Sequence, residues 1–221
     1  MRPFLFFAVT LALGTAAARA TEPARWASGP ERVALIELYT SEGCSSCPPA
    51  ERWLGTLRDD PALWKNFVPV AFHVDYWNRL GWPDRFATRE FTARQYAQAA
   101  AWSSGSVYTP CFVREGVEWR PRGEKISAPV GALAGALTAS YDGAVLRAEF
   151  APALPRAGER FEIYAALLGG GIVSKVTGGE NSGETLRHEF VALALVRGAP
   201  GVALPLPAEK ISGVPRRALA V

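Results

Sequence analysis

The stretch TSEGCSSCPPAE (Thr40–Glu51) puts two cysteines three positions apart and two prolines directly behind the second. What flanks it decides its reading. RVALIELYT (Arg32–Thr40) is almost continuously apolar, β-branched or aromatic, the pattern of a strand covered on both faces. CPPAERWLGTLRDD (Cys47–Asp60) carries Ala50, Trp53, Leu54 and Leu57 at helical spacing. Prolines are tolerated in a first helical turn, whose N–H groups have no helical partner. The cysteines therefore fall where a buried strand turns into a helix.

Working outward, NFVPVAFHVDYW (Asn66–Trp77) reads as a second buried strand and DRFATREFTARQYAQAAAW (Asp84–Trp102) as a helix. SSGSVYTP (Ser103–Pro110) breaks that helix, and CFVREGVEWRPRG (Cys111–Gly123) reads as a hairpin turning at Glu115-Gly116. SAPVGALAGALTAS (Ser127–Ser140), with a serine cap and an early proline, predicts a third helix. Residues 32–140 thus follow the thioredoxin-like order of α/β layers. From Tyr141 to Val221 the runs AVLRAEF, RFEIYAALL, RHEFVALALV and RRALAV are strand-like and separated by Gly/Pro turns, predicting an all-β C-terminal extension. The last run breaks off at Val221, the pattern of a chain missing a few C-terminal residues.

At the other end, residues 1–20 have a basic start at Arg2, an apolar core from Phe4 to Leu13 and a small-x-small triplet, Ala18-Arg19-Ala20. That is the pattern of a signal peptide cut after Ala20, so the protein is expected in the periplasm or secreted. Residues 21–31, rich in Pro, Ala and Gly, read as a flexible lead-in. Removing Arg2 and Arg19, with no acid, lowers the formal charge from +3 to +1. A near-neutral chain gives no reason to expect nucleic acid or a membrane surface as partner. Hydrophobic content of 49% with 7 tryptophans is ample for a packed core.

In an exporting compartment Cys44 and Cys47 can rest as a disulfide. Haem attachment needs a histidine directly after the second cysteine, where Pro48 stands. A structural zinc site needs four ligands, and Cys44, Cys47, Cys111, His73 and His188 include no second close pair. A dithiol at a helix start remains, where unpaired N–H groups and the helix dipole favour thiolate. In that reading Cys44, nearer solvent, attacks and Cys47 resolves, with Ser45 and Ser46 as added donors. A static staple is the plainer alternative, although so short a loop constrains the unfolded chain little.

Thr109-Pro110, ending a loop before a strand, reads as a cis peptide facing the cysteines, with the Thr109 backbone offered to an extended substrate chain, or as an ordinary trans proline in a turn. Cys111 is the odd third cysteine. It reads as a buried core residue, or as a third thiol that with Cys44 and Cys47 holds Cu(I). His73 and Asp75 share a face if the strand continues through them, as a proton relay or as a satisfied core histidine with its neighbour. Trp77 and Trp82 fit a groove wall or core packing. GGENSGE (Gly178–Glu184) lacks the Lys-Ser/Thr and helix of a phosphate cradle and reads as a turn loop, with a packing contact as its alternative. No G-x-S-x-G elbow supports a hydrolase.

Together LIELYTSEGCSSCPPAE, AFHVDYWNRLGWPDRF, FTARQ, VYTPCFV and GGENSG resemble the exported family catalogued as domain of unknown function 1223, over nearly all of the mature chain. The resemblance implies a thioredoxin-like fold and a redox site, with Cys111 departing from the polar residue, often Gln, that the family carries there. The expectation is thiol–disulfide exchange with protein or small-molecule thiols, without a bound organic cofactor, reset by a partner oxidase or reductase. Copper binding or delivery, and a structural secreted domain, are the alternatives.

Overall fold

The computed structural model describes residues 22–122, 126, 133–155, 157–207 and 211–221. Its first half holds β1 (Ala24–Ala27), β2 (Ala34–Thr40), α1 (Pro48–Thr56), β3 (Phe67–His73), α2 (Arg89–Ala101), β4 (Cys111–Arg114) and β5 (Val117–Trp119). Its second half holds β6 (Gly135–Tyr141), β7 (Val145–Pro152), β8 (Ile163–Gly170) and β9 (Ile172–Lys175). Four more strands complete it: β10 (Thr185–His188), β11 (Val191–Gly198), β12 (Leu204–Pro205) and β13 (Arg216–Ala220). The result is a mixed α/β protein, mostly sheet.

β2 runs near the middle of a seven-stranded sheet ordered β13-β8-β11-β3-β2-β4-β5. Its even positions Ala34, Ile36 and Leu38 pack with Leu54 and Leu57 from the α1 side, while Tyr39 packs with Phe91 of α2 on the opposite face. A strand covered on both sides needs apolar residues at nearly every position, which is why its sequence does not alternate. β3 lies parallel to β2 in register from Ala34↔Phe67 to Thr40↔His73, and β4 lies antiparallel on the other side. The β4–β5 hairpin turns at Glu115 and Gly116 as expected, both with positive φ (52° and 81°), the geometry of a tight two-residue hairpin turn.

Three expectations need correction. The helix expected from Asp84 begins at Arg89, because Thr88 caps it by accepting from Phe91 N–H at 3.1 Å while Asp84 serves the buried cluster described below. Gly135–Tyr141 of the expected third helix is a strand, bonded on one edge to β7 and on the other to β1. Its small residues suit either state, and two waiting strand edges settle it. Residues 127–132 of that expected helix lie outside the described residues. The lead-in expected to be flexible supplies β1.

No helix occurs beyond Tyr141 among the described residues, as expected. Yet this half is no appendage. β8, β11 and β13 extend the central sheet, with β11 joining β3 in parallel at Val191↔Ala71. β1, β6, β7 and β12 make a second, four-stranded sheet whose Leu146, Ala148 and Leu204 pack against Ile163 and Ala165 of β8. Among the described residues no helix is long and apolar enough to cross a membrane.

Candidate functional site

Cys44 and Cys47 are joined in a disulfide, with Cys47 as the residue that opens α1 and Pro48 and Pro49 as its first turn. The Cys47 carbonyl accepts from the N–H groups of Ala50 at 3.0 Å and Glu51 at 3.1 Å. Both cysteines are fully buried, so the expectation that Cys44 stands nearer solvent is corrected: Ser45 and Ser46 form the exposed crest instead. The cover comes from the other half of the chain. Asn181 donates its side-chain amide to the carbonyls of Glu42 at 2.8 Å and Cys44 at 2.9 Å. Glu180 Oε2 accepts from Ser45 N–H at 3.0 Å and Ser45 Oγ at 2.7 Å, and those bonds hold its carboxyl below the ordinary range. The GGENSGE loop is therefore a clasp over the cysteine turn, which is the packing alternative rather than a free turn. Ser46 Oγ lies 3.4 Å from Cys44 Sγ.

The Thr109-Pro110 bond is cis. Trp77 ties this loop to the cysteine turn: its indole N–H donates to Thr109 Oγ1 at 2.8 Å, and a Cβ placed on Gly43 would lie 3.2 Å from its own Cβ. Gln95 of α2 steadies the same loop by donating to the Tyr108 carbonyl at 2.7 Å. Cys111 is a buried free cysteine opposite Tyr39, packed with Phe72 and Phe91 on the α2 face. Burial pushes its thiol up to about 11. Because α1 packs on the opposite face, Cys111 does not join Cys44 and Cys47, which corrects the three-thiol copper site.

Behind the disulfide lies a cluster that the sequence reading only touched. Glu42, Glu51, His73, Asp84 and His188 are all buried. His73 Nδ1 is 2.6 Å from Asp84 Oδ2, and that oxygen also accepts from Glu42 N–H at 2.8 Å. His188 Nδ1 is 2.5 Å from Glu51 Oε2, while Glu51 Oε1 accepts from Thr40 Oγ1 at 2.6 Å. Trp82 donates its indole N–H to Glu42 Oε2 at 2.7 Å. Burial opposes every charge here, but the partners outweigh it. It resists charge on His188, yet Glu51 and Glu42 hold that imidazole up to about 10. His73 is raised by Asp84 and Glu51 against the same burial. Burial alone would raise the three carboxyls, yet His188 draws Glu42 and Glu51 below the ordinary range, and His73 does the same for Asp84.

His73 is a buried histidine bonded to Asp84, and the alternative, a relay through His73 and Asp75, does not form. β3 ends at His73 and a 3-10 turn runs from Asp75 to Leu80, so strand alternation no longer places the two on one face. Asp75 instead accepts from Thr92 Oγ1 at 2.6 Å. The sequence reading missed Glu42, Glu51, Asp84, Glu180, Asn181 and His188 as site residues. One signal for Glu51 was present: Cys47, Glu51 and Leu54 recur at helical spacing along the buried face of α1.

Fold and site thus define an α/β protein with a covered C-x-x-C disulfide at a strand-to-helix turn. The chain belongs to the family described as proteins of unknown function (DUF1223), whose sequence profile matches residues 35–210. It resembles the crystal structure of protein AGR_C_4864 from Agrobacterium tumefaciens at a TM-score of 0.52 and 23% identity, covering 81% of this chain and 80% of that one. HBP35 of Porphyromonas gingivalis aligns at a TM-score of 0.46 and 14% identity over 82% of this chain and 62% of that one. Among curated proteins none matches the chain.

Proposed function

We propose that this is an exported thiol–disulfide exchange protein with a thioredoxin-like core, acting through Cys44 and Cys47. The observation that carries the reading is the Cys44–Cys47 disulfide at the N-terminus of α1, linked through Trp77 to the Thr109-Pro110 loop. In the reduced protein the Cys44 thiolate attacks a substrate disulfide, giving a mixed disulfide and releasing one substrate thiolate. Cys47 then attacks Cys44 Sγ, restoring the intramolecular bond and releasing the second substrate thiolate. Two electrons pass to the substrate, whose two thiolates take up two protons, and a partner dithiol resets the protein. Full burial of both sulfurs requires the Gly178–Glu184 loop to lift before either is attacked.

The test is a glutathione-buffered titration of the pair with insulin reduction measured alongside. A potential above roughly −200 mV, with turnover abolished in Cys44→Ser, supports exchange. A potential below about −300 mV with no turnover sinks it. The second reading, a structural disulfide, is favoured by that same burial and would be the one left standing.

A further inference from the structure

We infer that Glu51, His73 and His188 form a binding site for one divalent transition-metal ion, zinc by the chemistry of the donors. One ligand atom from each lies within 4.8 Å of the other two. The three side chains come from α1, β3 and β10, so helix and sheet hold them rather than loops. The independent observation is an unpaired nitrogen. His73 is fully buried, its Nδ1 is taken by Asp84, and its Nε2 has no hydrogen-bond partner among the described residues. Buried ring nitrogens are rarely left so, and one calls for a missing ion or water. His188 Nε2 and Glu42 Oε1 face each other at 3.2 Å as an ion-pair contact without the alignment of a hydrogen bond.

Asp84 does for His73 what a carboxylate does behind a metal-bound imidazole: it fixes the ring and turns the far nitrogen toward the ion. Asp84 is held in turn by the N–H groups of Glu42 and of Phe86, the latter at 2.9 Å. Two imidazoles and a carboxylate suit zinc; calcium and magnesium take oxygen shells, and Cu(I) prefers the thiolates here locked in a disulfide. Bonds of about 2.0–2.2 Å place tetrahedral donors roughly 3.3 Å apart, so donors within 4.8 Å of one another must close by up to about 1.5 Å. The ion displaces one ring proton from each histidine to solvent, and the contact between His188 Nδ1 and Glu51 Oε2 opens as it enters. Counting only cysteines and histidines concealed this site, because its third donor is a glutamate.

The experiment uses the full protein with its disulfide oxidised, so that the cysteine sulfurs do not compete. Chelator-stripped protein is titrated with Co²⁺ alone, following its visible d–d absorption, and then with Zn²⁺. Expected are a cobalt spectrum saturating at one ion per chain, its displacement by zinc but not magnesium, and a higher melting temperature with zinc. His73→Gln should lose the spectrum, while Asp75→Asn, which bonds Thr92 outside the cluster, should keep it. If His73→Gln does not fold, the wild-type titration decides alone. A wild-type protein with no saturable cobalt spectrum overturns the site, and so does binding that survives in folded His73→Gln.

Discussion

Asn181 donates to the Cys44 carbonyl across 137 positions of sequence, so the cover of the disulfide comes from the opposite half of the chain. Asn181→Ala removes two buried hydrogen bonds, while the Cys44 carbonyl keeps the Cys47 N–H at 3.2 Å. The expected cost is about 2 kcal/mol in urea unfolding. The disulfide should also become several-fold faster to reduce, read by mass spectrometry after dithiothreitol and alkylation. An unchanged rate would show that the clasp does not control access.

Arg94 reaches from α2 to the buried Glu37 of β2, donating through Nε at 3.0 Å and again through Nη2. Glu37 also accepts from Tyr39 Oη at 2.8 Å, and burial together with Glu37 raises that phenol well above its ordinary range. Arg94→Ala leaves the buried Glu37 with Tyr39 and Gln98 as donors but without its cation, and should cost about 3 kcal/mol in chemical denaturation. Arg94→Ala combined with Glu37→Gln should recover much of the loss; failure to recover would mean that packing of the Arg94 stem dominates.

The Cys111 thiol, raised by burial to about 11, should resist iodoacetamide in native protein at pH 8 and react only on unfolding or near pH 11. The unfolded chain loses this proton near pH 9. The group's contribution to stability is therefore complete below about pH 9 and falls as pH rises toward 11. The gap in urea midpoint between wild type and Cys111→Ala should narrow over that window. A constant gap would argue against a raised thiol.

Gly135 opens β6 at φ 130°, and a Cβ there would stand 2.1 Å from the Ala151 carbonyl oxygen. Gly135→Ala forces β6 away from β7 and should cost at least ~3 kcal/mol. Thermal unfolding measures it, and a melting temperature within a degree of wild type would contradict the close approach.

The layers around the disulfide were legible because their signals are local. A strand buried on both faces shows as an unbroken apolar run, and a helix opened by two prolines shows as spacing. β6 was misread because alanine, glycine and leucine in GALTASY suit helix or strand, and the deciding partners lie at Ala24–Ala27 and Val145–Pro152. The His73–Asp75 pairing failed on a single 3-10 turn. What the sequence could not place were contacts made only in space. Glu180, Asn181 and His188 each lie more than 130 positions from their partners in the cysteine turn and α1.

That separation has a consequence in time. A chain threaded out from its N-terminus presents Cys44 and Cys47 long before Asn181 has been made. During that interval the cysteine turn lacks the contacts that Glu180 and Asn181 make to it. Once β11 pairs with β3, the Gly178–Glu184 loop can close over a bond already formed. In the exported protein proposed above, the disulfide can then form before its cover, and a reduced protein refolded whole should oxidise more slowly than the emerging chain.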